Sequence, residues 1–475
     1  MTSSTTAPAK GPGKLPLTSI IGYGAGDAAN NLAFTTTVMF LLVYYTDVAG
    51  ISAAAAGTLF LVVRVFDAFA DLFAGRLVDR TYTKRWGKFR PFILFGSLPL
   101  MVLTFLNFHI PQIGEGGKLA YAYILYAAMG LAYSLVNIPF GSMAASMTQL
   151  PKERAKLASA RTIGALMVSS ALGIFVAPLL KAGTDLQAVF TVLTIVFMVV
   201  GVALYLFTFF TARERVVREV PKVSFKQSMA TLKGNKPLLM LCLSSLLFLS
   251  GQLSLTTVQL YYFRDALRHL ELVPVLAIVQ LIETFVLSAV IPLLVQRVGK
   301  RPLYIALTGV TLVGGLIIMF TPVSIVWLGF VGFAVAMAGI AGVNIVVWAL
   351  EADTVEYGEW KTGVRSEGII YSLFSFTRKT GQAVGGALAA YVIGIAGYDG
   401  KAAEQTAQAV TGIQIAAGLI PGVLAVAAGA IMFSYQLTDD RFAKIVAEIR
   451  ERHVQAGAVI GADADTVARH SQSDH

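Results

Sequence analysis

The chain has 475 residues, of which 56% are hydrophobic and only 13% charged, and it carries a formal net charge of +10 with a mean hydropathy of +0.71. Soluble domains carry about 25% charged residues, so this composition excludes an ordinary soluble enzyme or binding domain and indicates a chain that lies mostly within a membrane. The single cysteine, Cys242, excludes an internal disulfide framework. Residues 1–16 are predicted to form a disordered tail without a cleaved signal peptide.

The hydropathy pattern predicts an all-α integral membrane protein. A membrane helix needs about 20 mostly apolar residues, and twelve such segments follow one another along the chain. They cover residues 18–46, 53–78, 91–110, 119–149, 158–181, 187–211, 237–262, 272–296, 303–321, 324–350, 367–397 and 408–435. Several are interrupted by Gly, Pro, Asn or charged residues, which is typical of helices that line a polar cavity.

The distribution of lysine and arginine predicts the orientation. Starting from the N-terminus, alternate loops are strongly basic, whereas the opposite loops hold only Lys118, Lys181, Arg264, Arg268 and Lys401. The positive-inside rule therefore predicts both termini in the cytoplasm, with the bacterial cytoplasmic membrane as the location and the lipid bilayer as the main partner. Because topology accounts for the excess positive charge, nucleic-acid binding is not indicated.

The chain is predicted to divide into two halves. The segments are a cytoplasmic N-tail (1–16), a six-helix half (17–212), a basic cytoplasmic linker (213–236), a second six-helix half (237–436) and a cytoplasmic C-tail (437–475). A weak internal repeat supports this division, since WGKFRPF (86–92) and VGKRPLY (298–304) each follow the second helix of a half. Two six-helix halves with a binding site between them at the membrane midplane are the plan of the major facilitator superfamily.

The C-tail and the segment after the tenth helix carry two further predictions. Residues Phe442, Ile445, Val446 and Ile449 lie on one face of an amphipathic helix, which is expected to lie at the membrane interface. The acidic segment EADTVEYGEW (351–360) lies opposite basic loops. It is predicted to form an inner gate through salt bridges, with the residues Glu351, Asp353, Glu356, Glu359 and Arg365.

The octet RVFDAFAD (64–71) places three charges within the second predicted helix. At 100° per residue, Arg64, Asp67 and Asp71 lie on one narrow stripe. Each charge costs about 2.5–3.5 kcal/mol at the bilayer centre on insertion scales. A structural ion pair would explain one carboxylate, but two adjacent carboxylates favour a site that shares a proton or binds a hard cation. Asp67 and Asp71 are therefore candidate coupling-ion ligands, with Arg64 as their partner on the stripe.

Several ordered motifs, spread from about residue 18 to residue 450, resemble the glycoside–pentoside–hexuronide:cation symporters, typified by melibiose permease. The motifs are GYGAGDAANN (22–31), YYTDVAG (44–50), RVFDAFAD, RWGKFRP (85–91), YSLVNIPFGSM (133–143), EADTVEYGEW and GQAVGG (381–386). Within the family, GDAANN, VNIP and SLFSFTRKTGQ are most similar to members that carry glucuronides. The resemblance implies a secondary active symporter that imports a sugar with a cation by alternating access and needs no cofactor other than the coupling ion.

The resemblance also assigns the coupling site. The family's cation-binding carboxylates fall on Asp67 and Asp71, and its hydroxyl ligand falls on Ser134, beside Tyr133. Between the carboxylates the family example has an Asn, whereas this chain has Ala70. A sodium shell thereby loses one oxygen ligand, which a transferable proton does not require. Proton coupling is therefore favoured, and sodium bound by the same two aspartates is the alternative.

A second departure from the family example concerns the substrate. The example holds sugar hydroxyls with two acids at the positions of Asn31 and Asn137, and it has a Lys at the position of Asn30. Asn keeps the hydroxyl contacts without the charge, and cations remain on the fifth and eleventh helices, so the pocket suits an anionic sugar such as a β-glucuronide. The predicted substrate-binding residues are Asn30, Asn31, Tyr133, Asn137, Arg161, Arg378 and Lys379.

Other interpretations remain open at this stage. The asparagines could serve helix packing only, and the substrate could be a neutral glycoside or pentoside coupled to sodium. A proton-dependent lipid carrier or membrane sensor could use the same fold. An intramembrane enzyme is not indicated, because the sequence shows no HExxH motif or nucleophile–base pair. Asp27, buried by sequence, is expected to have a structural partner, and the sequence predicts no oligomeric state.

Overall fold

A computed structural model of the protein describes residues 14–148, 151–181, 184–214, 234–363, 367–402, 404–449 and 451–452. Twelve long helices, α1–α12, occupy the described residues up to 433. Their bounds are α1 Leu17–Val43, α2 Ala53–Arg80, α3 Arg90–Asn107, α4 Glu115–Met147, α5 Pro151–Ala171, α6 Leu186–Thr211, α7 Lys236–Tyr261, α8 Leu272–Val298, α9 Lys300–Phe320, α10 Val326–Thr362, α11 Glu367–Ile395 and α12 Ala407–Phe433. A further helix, α13, covers residues 439–449.

The predicted all-helical membrane fold is confirmed. Among the described residues, eleven of these helices are long and apolar enough to cross a membrane. The remaining one, α11, carries Arg378 and Lys379 near its middle. The helix α10 runs twelve residues beyond its predicted end at 350, to Thr362, so the acidic segment EADTVEYGEW continues the helix past the apolar region.

The packing of the helices repeats between the two halves of the chain. In the first half α1 contacts α5 and α6, α2 contacts α4, and α3 contacts α4 and α6. The same five pairings recur in the second half, where α7 contacts α11 and α12, α8 contacts α10, and α9 contacts α10 and α12. The first half, α1–α6, meets the second, α7–α12, through α2 with α11, α1 with α7 and α5 with α8. Most of the basic linker lies outside the described residues.

The Gly-Lys repeat seen in the sequence forms the same local structure twice. Gly87 and Gly299 both adopt positive φ, 82° and 86°, just before α3 and α9. In the first half, the Glu214 carboxylate accepts hydrogen bonds of 3.0, 2.8 and 3.2 Å from three backbone N–H groups at the start of α3. In the second half, Asp439 accepts one of 2.9 Å from the backbone N–H of Lys300. Each acid follows the sixth helix of its half and lies at the positive end of a helix dipole.

The first helix of each half also ends in the same way. The helix α1 passes into a π-helical turn, Tyr44–Ala49, and α7 passes into another, Tyr262–Ala266. Each turn carries an aspartate, and Arg264 donates to both of them, to Asp47 at 2.5 Å and to Asp265 at 2.9 Å. We call Asp47, Arg264, Asp265 and the neighbouring Tyr398 the outer cluster. The sequence placed Arg264 in a loop, whereas the structure buries it between the two halves, with 6% of its side chain exposed.

The halves separate on the side that carries the two chain ends, which we call the inner side. On the outer side, one continuous apolar core contains residues of both halves, but the inner part of the first half has an apolar core of its own. In the described part of the chain, the inner-side ion pairs of Lys156 and Lys300 stay within one half. The contacts between the halves therefore lie on the outer side and near the Asp71–Lys379 pair, which indicates that the cavity between the halves opens toward the inner side.

The amphipathic helix of the C-tail packs on the protein. Ile445 and Ile449 of α13 are buried, with 2% and 8% of their surfaces exposed, and the indole Nε1 of Trp360 on α10 donates to Glu448 at 2.6 Å. The apolar face of this helix is therefore covered by the protein, at the long inner end of α10, and its location at the membrane interface stays a prediction.

Candidate functional site

The structure brings two of the predicted coupling residues, Asp71 and Ser134, together with Lys379, which was predicted to bind the substrate. Ser134 on α4 donates a hydrogen bond of 2.6 Å from its hydroxyl to Asp71 Oδ1. The ammonium of Lys379 on α11 pairs with Asp71 Oδ2. Both side chains of this ion pair are about one-quarter exposed, 26% and 28%. Because α2 belongs to the first half and α11 to the second, Asp71 links the two halves directly.

Asp67 lies one turn earlier on α2 and pairs differently. The Arg64 guanidinium lies 3.3 Å from Asp67 Oδ2, whereas Oδ1 is buried and accepts no hydrogen bond from the described residues. This oxygen rests against Gly130 of α4, where any side chain would overlap it. Each of the two carboxylates therefore pairs with one protein cation. Asp67, which lies nearer the outer side, keeps one oxygen without a hydrogen bond in the described part of the chain.

Protein cations already oppose the carboxylate oxygens of these two aspartates. The described residues contain no group of three or more His, Cys, Asp or Glu that could hold a metal. The oxygens present are those of Asp67, Asp71 and Ser134, and Arg64 and Lys379 already compensate the two negative charges. A proton can neutralise either carboxylate and release its cation, whereas a sodium ion would have to bind beside two ammonium or guanidinium groups and find further oxygens.

A second polar group lies on α1 and α5. Arg161 donates from Nε to Asp27 Oδ1 at 2.9 Å, and Asn31 donates from its amide to the Asp27 carbonyl and to Asp27 Oδ2, at 2.9 and 3.1 Å. Asp27, for which the sequence predicted a structural partner, is buried with 6% exposure. The guanidinium lies 5.3 Å above the ring of Phe140 and 6.0 Å above that of Tyr23. With 36% of its side chain exposed, Arg161 presents its terminal N–H groups to the cavity.

Asn137 and Tyr133 lie on α4, between the coupling site and Arg161. Asn137 is half-buried and forms no side-chain hydrogen bond with any other residue that the structure describes. The Tyr133 ring packs against Phe34 with 5.7 Å between the ring centroids. The amide of Asn137 is therefore available to a ligand, whereas the Asn31 amide is engaged by Asp27.

Asn30 and Arg378, also predicted to bind the substrate, do not join the polar group of Arg161 and Asn31. Asn30 is buried with 1% exposure. Its side-chain oxygen Oδ1 accepts a hydrogen bond of 2.8 Å from the Tyr205 hydroxyl on α6. Arg378 lies 5.0 Å above the Trp348 ring and 5.9 Å above the Phe374 ring, inside the second half. Asn30 points away from the cavity because it is about 100° around α1 from Asn31. Arg378, about 100° around α11 from Lys379, lies instead beside Trp348.

The aromatic surface of the second half was not predicted from the sequence. Trp348 on α10 and Tyr371 on α11 stack with 6.4 Å between ring centroids, and both are strongly exposed, at 43% and 53%. Tyr371 also lies near Arg161 and Tyr23 of the first half, so the stacked pair faces the space between the halves. Aromatic faces of this kind cover the apolar C–H face of a sugar ring. In the sequence, Trp348 and Tyr371 are single aromatic residues near the inner ends of two predicted helices. Such residues occur equally in packing and in binding, so they did not stand out.

The predicted inner-gate residues lie on the inner end of α10. Asp353 pairs with Lys300 of its own half, and Lys300 also lies 3.5 Å from Asp439. Glu359 is buried, whereas Glu351 and Glu356 are half-buried. Arg365 lies outside the described residues. In this conformation, Asp353 therefore ties α10 to α9.

Comparisons with known proteins define the family. The sequence profile described as MFS/sugar transport protein matches residues 22–439. The chain is 45% identical to the glucuronide carrier protein homolog of Escherichia coli K12 over 440 residues, which cover 91% of this chain and 95% of that protein. The chain belongs to the MFS sugar transport family. It is also 32% identical to the isoprimeverose transporter of Lactiplantibacillus pentosus, over 96% of this chain and 97% of that one.

Solved structures confirm the fold. The nucleoside transporter NupG superposes with a TM-score of 0.62 at 14% identity, over 88% of this chain and all of that chain. The architecture is therefore that of the major facilitator superfamily. The resemblance to the glycoside–pentoside–hexuronide:cation symporters is confirmed, and the protein is an integral membrane sugar transporter of the inner membrane, not an enzyme.

Proposed function

We propose that the protein imports a β-glucuronide, or a related glycoside that carries a carboxylate, together with a proton. The observation that carries this proposal is the presentation of Arg161. Asp27 engages Nε of its guanidinium and the side chain is 36% exposed, so its terminal nitrogens can reach a ligand carboxylate through charge-assisted hydrogen bonds.

The surroundings of Arg161 support an anionic sugar. Asp27 offsets one positive charge but is buried behind Arg161, so the cavity meets the cation first. Asn137 supplies a neutral amide where the family example has an acid, and the stacked rings of Trp348 and Tyr371 offer an apolar face to the pyranose. The glucuronide carrier protein homolog, 45% identical, supports the same substrate class by its name.

The coupling argument rests on the Asp71–Lys379 ion pair. A proton on Asp71 removes its charge and so releases Lys379, which belongs to the other half. Protonation therefore weakens a direct link between the halves, and a conformational change between outward-open and inward-open states becomes sensitive to proton binding. The unused oxygen of Asp67 gives a second place for the proton on the same stripe.

The charge of the substrate can be tested by binding. Phenyl β-D-glucuronide and phenyl β-D-glucoside are titrated into the purified protein and into the variant Arg161→Gln. Loss of a charge-assisted bidentate contact of about 1.5–3 kcal/mol should lower glucuronide affinity about 10- to 100-fold and glucoside affinity much less. The variant Asn137→Asp should show the same bias, because it adds negative charge near the carboxylate.

Arg268→Gln is the matched control, since it removes an exposed cation on the outer side, away from Arg161. It should leave the ratio of the two affinities unchanged. Equal losses for the charged and the neutral sugar in Arg161→Gln would show that Arg161 shapes the pocket without recognising a carboxylate, and a neutral glycoside would then be the better assignment.

A further inference from the structure

One intramembrane carboxylate has no part in the function proposed above. Glu283 lies on α8, which covers the 27 residues Leu272–Val298 and is about 40 Å long. Glu283 is about 16 Å from its outer end, which places it near the middle of the membrane. Counted from its outer end, Glu283 is the twelfth residue of α8, and Arg64 is likewise the twelfth residue of α2. The two helices are equivalent in the two halves, so Glu283 occupies the position that Arg64 has in the first half.

The faces of α8 show where Glu283 points. Residues spaced three or four apart form one stripe, and along it lie Val273, Leu276, Ala277 and Ile291, all buried at 5% exposure or less. Gln280, Glu283 and Leu287 continue this stripe but are half-exposed. The opposite face is strongly exposed, with Ile282, Phe285, Val286 and Leu293 at 53–60%. Glu283 thus lies on the inward face of α8, in the stretch where neighbouring helices leave that face partly uncovered.

Glu283 also differs from the other intramembrane acids in having no cation. Asp27, Asp67 and Asp71 each pair with an Arg or Lys. Within the described part of the chain, Glu283 forms no ion pair and no side-chain hydrogen bond. One turn away, the amide Nε2 of Gln280 is buried and also unpaired. A carboxylate and an amide without partners at membrane depth are costly and indicate a site that a polar ligand completes.

The position of this pair fits the far end of the proposed substrate. The helices α5 and α8 touch near Gly173 and Ala277, since a methyl group on Gly173 would lie 2.8 Å from Ala277 Cβ. From this level, Arg161 is twelve residues toward the inner side and Glu283 is six residues in the same direction. At 1.5 Å per residue, the two side chains therefore differ in depth by about 9 Å. A pyranoside with its carboxylate at Arg161 would reach Glu283 with the hydroxyl groups on the opposite side of the ring.

We infer that Glu283 and Gln280 form a hydroxyl-binding subsite in the second half, where the carboxylate accepts hydrogen bonds from adjacent hydroxyls of a pyranoside and the Gln280 amide donates to a sugar oxygen. The inference rests on the proposed function for the orientation of the sugar. It assigns the second half a direct contact with the sugar, so that substrate binding draws α8 toward α5 across the open side of the cavity.

The test measures affinity for phenyl β-D-glucuronide, its 2-deoxy and 3-deoxy analogues, and phenyl β-D-glucoside. Glu283→Ala should weaken the binding of glucuronide and glucoside by a similar factor, about 10- to 100-fold, because both sugars carry the same ring hydroxyls. The deoxy analogue that lacks a contacted hydroxyl should bind more weakly to the wild type and lose little more in Glu283→Ala. Glu283→Gln, which retains an acceptor and conserves shape, should lose less than Glu283→Ala and guards against a folding defect.

Two controls are matched to the site. Thr284→Val changes a residue whose hydroxyl is already satisfied by the Gln280 carbonyl at 2.8 Å, and Phe285→Leu changes the outward face; both should bind like the wild type. If Glu283→Ala binds all sugars as tightly as the wild type, the subsite is overturned even if that variant loses its response to pH. If the wild type itself binds neither glucuronide nor glucoside, the proposed function falls and the subsite falls with it.

Discussion

At the scale of single residues, sequence reasoning selected polar side chains that meet in the structure, but it did not give the direction of every side chain. Asp71, Ser134 and Lys379 come from three helices and meet in the structure. Adjacent candidates such as Asn30 and Asn31 could not be separated, because helix rotation decides which one faces the cavity. Glu283 was overlooked, since a single acid in an apolar run changes the hydropathy little.

The Asp71–Lys379 pair leads to a prediction about coupling. In Asp71→Asn, the amide cannot carry the transferable proton, so concentrative uptake should fall to an accumulation ratio near one, while exchange of labelled for unlabelled sugar continues. Both activities are measured in proteoliposomes. The double variant Asp71→Asn, Lys379→Gln removes the unpaired cation and serves as the control for folding. A wild-type accumulation ratio in Asp71→Asn would mean that this carboxylate has only a structural role.

At the scale of helices, the spans themselves were predictable because their length and apolar character follow from the membrane. The ends were less predictable, since hydropathy does not show a helix that continues into water. The acidic segment after residue 350 prolongs α10 because α9 and α13 pack beside it and Lys300 neutralises Asp353. The repeated Gly-Lys motif was visible in the sequence, but its acidic partners were not, as Glu214 lies more than a hundred residues from the backbone groups it binds.

Those acidic partners give a prediction about stability. Glu214→Gln and Asp439→Asn each remove a charge that binds the N-terminus of a helix, which should lower the free energy of unfolding by about 0.5–2 kcal/mol. Thermal unfolding in detergent measures this effect. Glu404→Gln is the control, because its ion pair with Arg268 is 60% and 73% exposed and contributes little. Unchanged stability in both variants would show that water replaces the carboxylates without loss.

At the scale of the whole molecule, two halves could be predicted from the sequence, whereas the conformation could not. The inward-open arrangement depends on contacts between distant segments, above all on the outer cluster, where Arg264 of the second half binds Asp47 of the first. The sequence contains each member, but nothing in their spacing shows that two helix ends 217 residues apart meet.

The outer cluster predicts how the conformational equilibrium can be shifted. In Arg264→Gln, the carboxylates of Asp47 and Asp265 lose their shared cation, so the outer side should open and outward-open molecules should become more frequent. Spin labels at Ile113 and Ile325, on a background without Cys242, report the distance between the outer ends of the halves. This distance should lengthen in Arg264→Gln and stay unchanged in Arg268→Gln, which removes an exposed pair. No lengthening would mean that apolar packing alone closes the outer side.

The central claim, that the protein couples the import of a glucuronide to protons, is tested most directly by accumulation in proteoliposomes with separate ion gradients. Labelled phenyl β-D-glucuronide is supplied outside, under either an inward proton gradient at equal sodium or an inward sodium gradient at equal pH. The account predicts accumulation above the external concentration with the proton gradient and only equilibration with the sodium gradient. Accumulation driven by sodium and indifferent to pH would contradict it.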